Sequence, residues 1–130
     1  MKYFISLIFI MCLASSVSAE QSGTNISQRY PDLVLSDRQI ATDSQKALSG
    51  DGNAATELGM YYLMVARDRA EGEYWYRIAA ENGDPGGQQY YGTLLLKAPN
   101  QNRARAIFWL KRAADTGDPV ASKTLEGLSH

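Results

Sequence analysis

The chain has 130 residues, and its 14 acidic side chains nearly balance 13 basic ones, for a formal net charge of −1. That length supports one domain with a modest core, and the balance argues against nucleic acid or an anionic membrane surface as the main partner. One cysteine and one histidine are too few for a disulfide or a thiolate metal site.

Met1-Lys2 gives a short positive start, and Tyr3 to Ala14 is apolar apart from Ser6. Val17-Ser18-Ala19 then offers the small residues that signal peptidase requires, so residues 1–19 read as a signal peptide cleaved after Ala19. The apolar run is about 12 residues, whereas a membrane span needs roughly 20, so an uncleaved anchor is the weaker alternative. Cys12 sits inside the run behind Ile10 and Met11, not behind the small residue that lipidation requires, and it leaves with the signal. What remains carries no cysteine and a formal charge of −2, and it is expected in a bacterial periplasm with no membrane contact after cleavage.

Residues 20–35 read as a flexible or extended lead-in. Glu20 to Tyr30 is polar and rich in Ser, Gln, Thr and Asn, while Pro31 to Leu35 suits an extended segment. Ser36 and Gln39 form a capping box that predicts a helix from Asp37 to Leu48, where a helical domain over residues 36–130 begins. Further helices are predicted from about Arg69 to Asn82, with Tyr76, Ala79, Ala80 and Gly83 on one face, and from about Asn102 to Thr116, with Ile107, Leu110, Ala113 and Ala114 on one face. Loops are expected at Val65–Arg69 and Lys97–Gln101, the second broken by Pro99-Asn100.

These helices belong to an internal repeat. Trp75, Ala79, Ala80, Gly83, Asp84 and Pro85 recur 34 residues later as Trp109, Ala113, Ala114, Gly117, Asp118 and Pro119. A weaker copy at Lys46 to Gly52 precedes Ala79 to Pro85 by 33 residues. At each junction the glycine (Gly50, Gly83, Gly117) suits the left-handed residue that ends a helix. The following aspartate (Asp51, Asp84, Asp118) suits the N-cap of the next helix, and Pro85 and Pro119 suit its first turn. Repeated in register, Gly-Asp-Pro becomes a specific stop-and-start signal.

The same residues resemble the Sel-one-like repeat, a relative of the tetratricopeptide repeat. Ala54, Leu58, Gly59, Tyr62, Trp75, Tyr76, Ala79, Ala80, Gly83 and Asp84 match its pattern in one copy. Ala106, Trp109, Ala113, Ala114, Gly117 and Asp118 match it in the next, and the likeness covers about Lys46 to Leu128. The chain departs from the family in lacking the loop glycines, in placing Gly72 where an alanine is usual, and in placing Glu126 where a glycine is usual. The resemblance implies an all-α fold, a short right-handed α-solenoid of about two full helix-turn-helix repeats with flanking helices. It also implies a protein-binding scaffold with no cofactor.

No catalytic constellation or metal site is expected. His130 is a lone tail histidine, and Glu71 and Glu73 are two apart on a helix and share no face. Tyr62, Trp75, Tyr76, Tyr91 and Trp109 fall at repeat-core positions, whereas Tyr61, Tyr74 and Tyr90 lie off them and are candidate contacts. In such a stack the first helix of each pair lines the concave side. At spacings of four its free stripe reads Thr56, Met60 and Met64, then Gln89, Thr93 and Lys97, then Lys123. Methionines, neutral polar groups and lysines there suit a protein surface with some negative charge, and an ordinary solvated face is the competing interpretation.

Exported members of the family resemble immunity proteins, adaptors and envelope regulators. The expectation is an immunity protein that neutralises a secreted antibacterial effector of the type VI kind. An adaptor or regulator that binds a periplasmic enzyme or sensor is the alternative, and a hydrolase the least supported.

Overall fold

Residues 26–99 and 102–129 are described by a computed structural model. The expected signal segment, residues 20–25 of the lead-in, the loop residues Asn100 and Gln101, and His130 lie outside them. Among the described residues every regular element is helical. A single turn, α1 (Ile26–Arg29), and a 3-10 turn (Pro31–Leu33) lead into α2 (Asp37–Leu48). Then come α3 (Gly52–Met60), a π turn (Tyr61–Val65), α4 (Arg69–Glu81), α5 (Pro85–Lys97), α6 (Arg103–Asp115) and α7 (Pro119–Leu128). None of these helices is long and apolar enough to cross a membrane.

The start of α2 follows its sequence signal. Ser36 Oγ accepts the Gln39 amide at 3.3 Å, and Gln39 Oε1 accepts the Ser36 amide at 3.0 Å. The residues bounding the predicted helices become caps. Asn102 accepts the Arg105 amide at the start of α6, while Asn82 and Thr116 close α4 and α6. The lead-in differs from expectation. Its residues Ile26–Arg29 form α1, and Pro31, with the fixed φ of a first-turn residue, opens the 3-10 turn.

The junctions are built alike. Gly50, Gly83 and Gly117 have φ of 108°, 85° and 92°, which a side chain would resist. Their amides bond to the carbonyls of Ala47, Ala80 and Ala114, and the amides of Asp51, Asp84 and Asp118 reach back to Lys46, Ala79 and Ala113. This is the Schellman pattern, which satisfies carbonyls left free at a helix end. The same aspartates turn their carboxylates forward and accept the amides of Ala54, Gly87 and Ala121. One residue therefore closes one helix with its backbone and opens the next with its side chain.

The junctions also touch one another. Thr56 Oγ1 donates to Asp84 Oδ2 at 2.6 Å, and Asn82 Nδ2 donates to the Ala47 carbonyl at 2.9 Å. Both bonds join residues about one repeat apart. Consecutive helices from α2 to α7 pack in chain order, and α2 also meets α4 while α3 meets α5. α2 and α4, and likewise α3 and α5, thus lie side by side as two layers in the first part of the domain. Three apolar clusters follow along the stack: one around Leu58, Trp75 and Ala79, one around Tyr76, Tyr91, Leu95 and Ala106, and one around Leu110, Ala113 and Ala121.

Small residues set the spacing of these layers. A Cβ on Gly59 would lie 2.8 Å from the Tyr76 ring, and one on Gly92 would lie 2.8 Å from Leu110 Cγ. These glycines occupy equivalent positions, and each admits a large side chain from the following helix. Gly59→Ala is therefore expected to destabilise the fold by about 1–3 kcal/mol through overpacking, measured by urea denaturation; an unchanged midpoint would contradict the contact.

The first inter-helix connection is shorter than Val65–Arg69. The helical path continues through the π turn, where the Ala66 amide reaches the Tyr61 carbonyl at 3.1 Å, and only Ala66 to Asp68 connects to α4. Arg67 then takes φ 58°, the left-handed region, without being glycine. The connection from Ala66 to Asp68 contains no glycine. Left-handed backbone costs a non-glycine residue roughly 1 kcal/mol. Arg67→Gly is expected to stabilise the domain by about 0.5–1 kcal/mol, and Arg67→Ala to leave it near neutral, in the same denaturation assay.

Candidate functional site

The residues expected to form one continuous binding stripe separate into distinct environments. Thr56 is half-buried, and its hydroxyl is committed to Asp84. Gln89 is 8 % exposed, which corrects the expectation of a free contact residue. Its helix, α5, is packed by α4, α6 and α3 together, so Gly87, Gln88 and Gln89 are all covered. Gln89 Nε2 donates to Thr93 Oγ1 at 3.0 Å, and the Thr93 hydroxyl donates to the Gln89 carbonyl at 2.9 Å. Thr93 is thus half-buried and already bonded within its own helix. Lys97 and Lys123 are exposed.

The candidate tyrosines are also held. Tyr61 is half-buried, with its ring edge-on to Tyr62 at 5.2 Å. Tyr90 is half-buried and stacked on Tyr76, with ring centres 4.8 Å apart and planes 21° apart. The expected core aromatics sit inside: Trp75, Tyr76 and Tyr91 are buried, and Tyr62 and Trp109 are half-buried against the first two clusters.

Met60 and Met64 remain, and the structure brings them together with the lead-in. A groove of about 660 Å³ is lined by Met60 and Met64 on one side and by Tyr30, Pro31 and Leu33 on the other, with Arg29 and Asp32 at its rim. Met64 and Tyr30 are 48 % and 52 % exposed, a large apolar area left open to solvent. A smaller hollow of about 310 Å³ adjoins it through Asp32, Leu33 and Met60 and carries Asp43 and Glu57. Lys97 and Lys123 do not line this groove. Its charged neighbours are Arg29 and three carboxylates, so the expected preference for a negative partner surface does not apply here.

A second, polar cleft of about 530 Å³ lies between α4 and α6. It is lined by Ala70, Glu73, Tyr74, Arg77, Tyr91 and Arg105. The Arg105 guanidinium sits over the Tyr91 ring at 5.5 Å from its centre, and Arg77 lies 5.6 Å from the Tyr74 ring centre. Burial pushes the Tyr91 phenol up from its usual pKa; Arg105 and Arg77 pull it down, and Glu73 and Glu81 push it up. Burial also raises Tyr76 strongly, with Tyr90 adding to the effect. Burial, helped by Glu71, Tyr61 and Asp68, raises Tyr62.

Neither the lead-in wall nor the polar cleft is a motif. Tyr30-Pro31-Asp32-Leu33 did carry a signal, since proline flanked by large apolar residues marks a turn that packs. Arg77 and Arg105 come from different repeats at unrelated positions, and only the fold unites them. Among the described residues no group of three histidine, cysteine or acidic side chains is placed to hold a metal ion. No family model matches the chain, and no curated protein or solved structure matches it either.

The buried Tyr76 phenol makes stability depend on alkaline pH. The unfolded chain releases this proton near pH 10 and the folded chain only above that. Above pH 10 the unfolded state therefore holds fewer protons, and stability falls as pH rises. Thermal melts are expected to change little from pH 7 to 9 and then to drop steadily above pH 10. The drop should be shallower in Tyr76→Phe, and equal slopes in the two proteins would contradict the assignment.

Proposed function

We propose that this chain is an exported helical-repeat protein of the Sel-one-like kind that holds another protein in the periplasm, in the specific role of an immunity protein against an antibacterial effector delivered by neighbouring cells. The observation that carries the binding role is the groove between the lead-in and the end of α3 with its π turn. Methionine is unbranched and polarisable, so Met60 and Met64 can repack around an incoming apolar side chain. Tyr30 adds a rigid aromatic surface opposite them. Burying one large apolar side chain in such a place contributes about 2–3 kcal/mol, enough to act as the anchor of a small interface. The immunity role rests on the signal-like first 19 residues and on a helical-repeat scaffold with no recognisable catalytic motif in its sequence.

Deleting the gene is expected to sensitise cells to attack by effector-delivering siblings, and returning it should restore survival. A Met64→Glu chain, folded and equally abundant, is expected to fail to restore it, because an unpaired charge in the groove weakens binding by about 2–4 kcal/mol. Unchanged survival of the deletion strain would contradict the immunity role. Full protection by Met64→Glu would contradict the groove as the contact. Recovery of a housekeeping envelope protein with the wild-type chain, lost with Met64→Glu, would assign the same groove to an adaptor.

A further inference from the structure

We propose that the cleft between α4 and α6 is a second binding site, distinct from the methionine groove, and that it takes the single carboxylate of an aspartate or glutamate side chain presented by a partner protein. The cleft is lined by two guanidinium groups and one carboxylate, Arg77 and Arg105 against Glu73. Outside that lining Glu81 pairs with Arg77 at 3.5 Å, so Arg105 is the lining guanidinium left without a carboxylate partner among the described residues, and one such group matches a single monoanion.

Arg105 is placed where its own helix does not favour it. It stands in the first turn of α6, where the helix dipole is positive and a cation is disfavoured, and that turn has no acidic residue. Its neighbour Arg103 has an internal role, donating to the Leu128 carbonyl at 2.7 Å. Arg105 has none of this kind: among the described residues its side chain meets no carboxylate within 4.0 Å and donates no hydrogen bond, and it rests on the Tyr91 ring. The contact with that ring uses no N–H group, so the guanidinium donors stay open to a fork-shaped acceptor.

Arg77 completes the pair from the preceding repeat. Its contact with Glu81 is 3.5 Å long, and both side chains are well exposed, 39 % and 44 %. A pair of that kind is weak and leaves most of the five guanidinium donors open. The buried Tyr91 ring forms the floor, and Tyr74, 38 % exposed, flanks the opening with an aromatic face. Arginine and tyrosine together are the residues most enriched where interfaces concentrate their energy. Glu73 sets the selectivity, since it opposes a second negative charge and so disfavours a phosphate dianion relative to a carboxylate.

The test is an NMR titration of the full chain with N-acetyl-glutamate N-methylamide, with inorganic phosphate as the second probe. Saturable shifts are expected at the Arg105 Nε–H and the Tyr91 ring, with phosphate binding more weakly. Arg105→Ala should weaken binding at least tenfold, and Arg105→Lys, which keeps the charge and loses the fork, should recover only part of it. Arg112→Ala, on the same helix and outside the cleft, should leave binding unchanged. Both arginines are solvent-facing, so a retained helical spectrum checks the variants. Absence of saturable shifts, tighter binding of phosphate, shifts confined to Met60 and Met64, or equal binding by Arg105→Ala would each overturn the proposal. The Met64→Glu survival assay does not depend on these outcomes, so the two sites fail or stand separately.

Discussion

The aspartate at each junction is used twice, and the rest of the fold depends on that double use. Its amide closes the Schellman turn of the preceding helix, and its carboxylate caps the following one. Helix ends leave backbone groups that must be satisfied, and here consecutive ends are satisfied by one residue. The connection is therefore only three residues long at each junction. At Asp84 a further acceptor site is occupied by Thr56 from the previous repeat. The turn within one repeat is thereby tied to the helix of another.

A constrained edge of this kind determines where the open surfaces fall. Short junctions force neighbouring helices together, and glycine at positions 59 and 92 lets a tyrosine and a leucine fill the space between them. The central helix α5 is packed by α3, α4 and α6, which covers Gly87, Gln88 and Gln89. Two open hollows lie on the surface of the described residues, and apolar side chains such as Phe108 and Val120 are exposed elsewhere. One hollow is at the end of the stack, where the lead-in stands off from Met60 and Met64. The other is the cleft that α4 and α6 line together with Tyr91. The two differ in chemistry, one apolar and adaptable, the other charged and pre-oriented.

The junctions could be read from the chain because their chemistry is local. Positive φ requires glycine, an N-cap requires a short acceptor, and proline suits a first turn, so three residues in order announce the geometry. The capping box at Ser36 was equally plain. The core aromatics followed from the repeat register. The expected contact stripe was only partly readable, because helical spacing assigns a residue to a face without saying what covers that face. Thr56 and Gln89 lie on the expected stripe, yet an inter-repeat hydrogen bond takes one and the packing around α5 takes the other. The π turn after Met60 left no mark, since it arises from one additional residue in an otherwise regular helix. The left-handed Arg67 was hidden for the opposite reason: a non-glycine residue gives no hint that it must adopt that conformation.

The bond between Thr56 and Asp84 is the most direct place to test whether the junctions hold the repeats in register. A double-mutant cycle of Thr56→Val and Asp84→Ala, followed by urea denaturation, isolates it from the local capping role of Asp84. A hydrogen bond to a charged group contributes about 1.5–3 kcal/mol, so a coupling of at least about 1 kcal/mol is expected between the two sites. Additive losses, within about 0.5 kcal/mol, would contradict the linkage and leave each junction a purely local device.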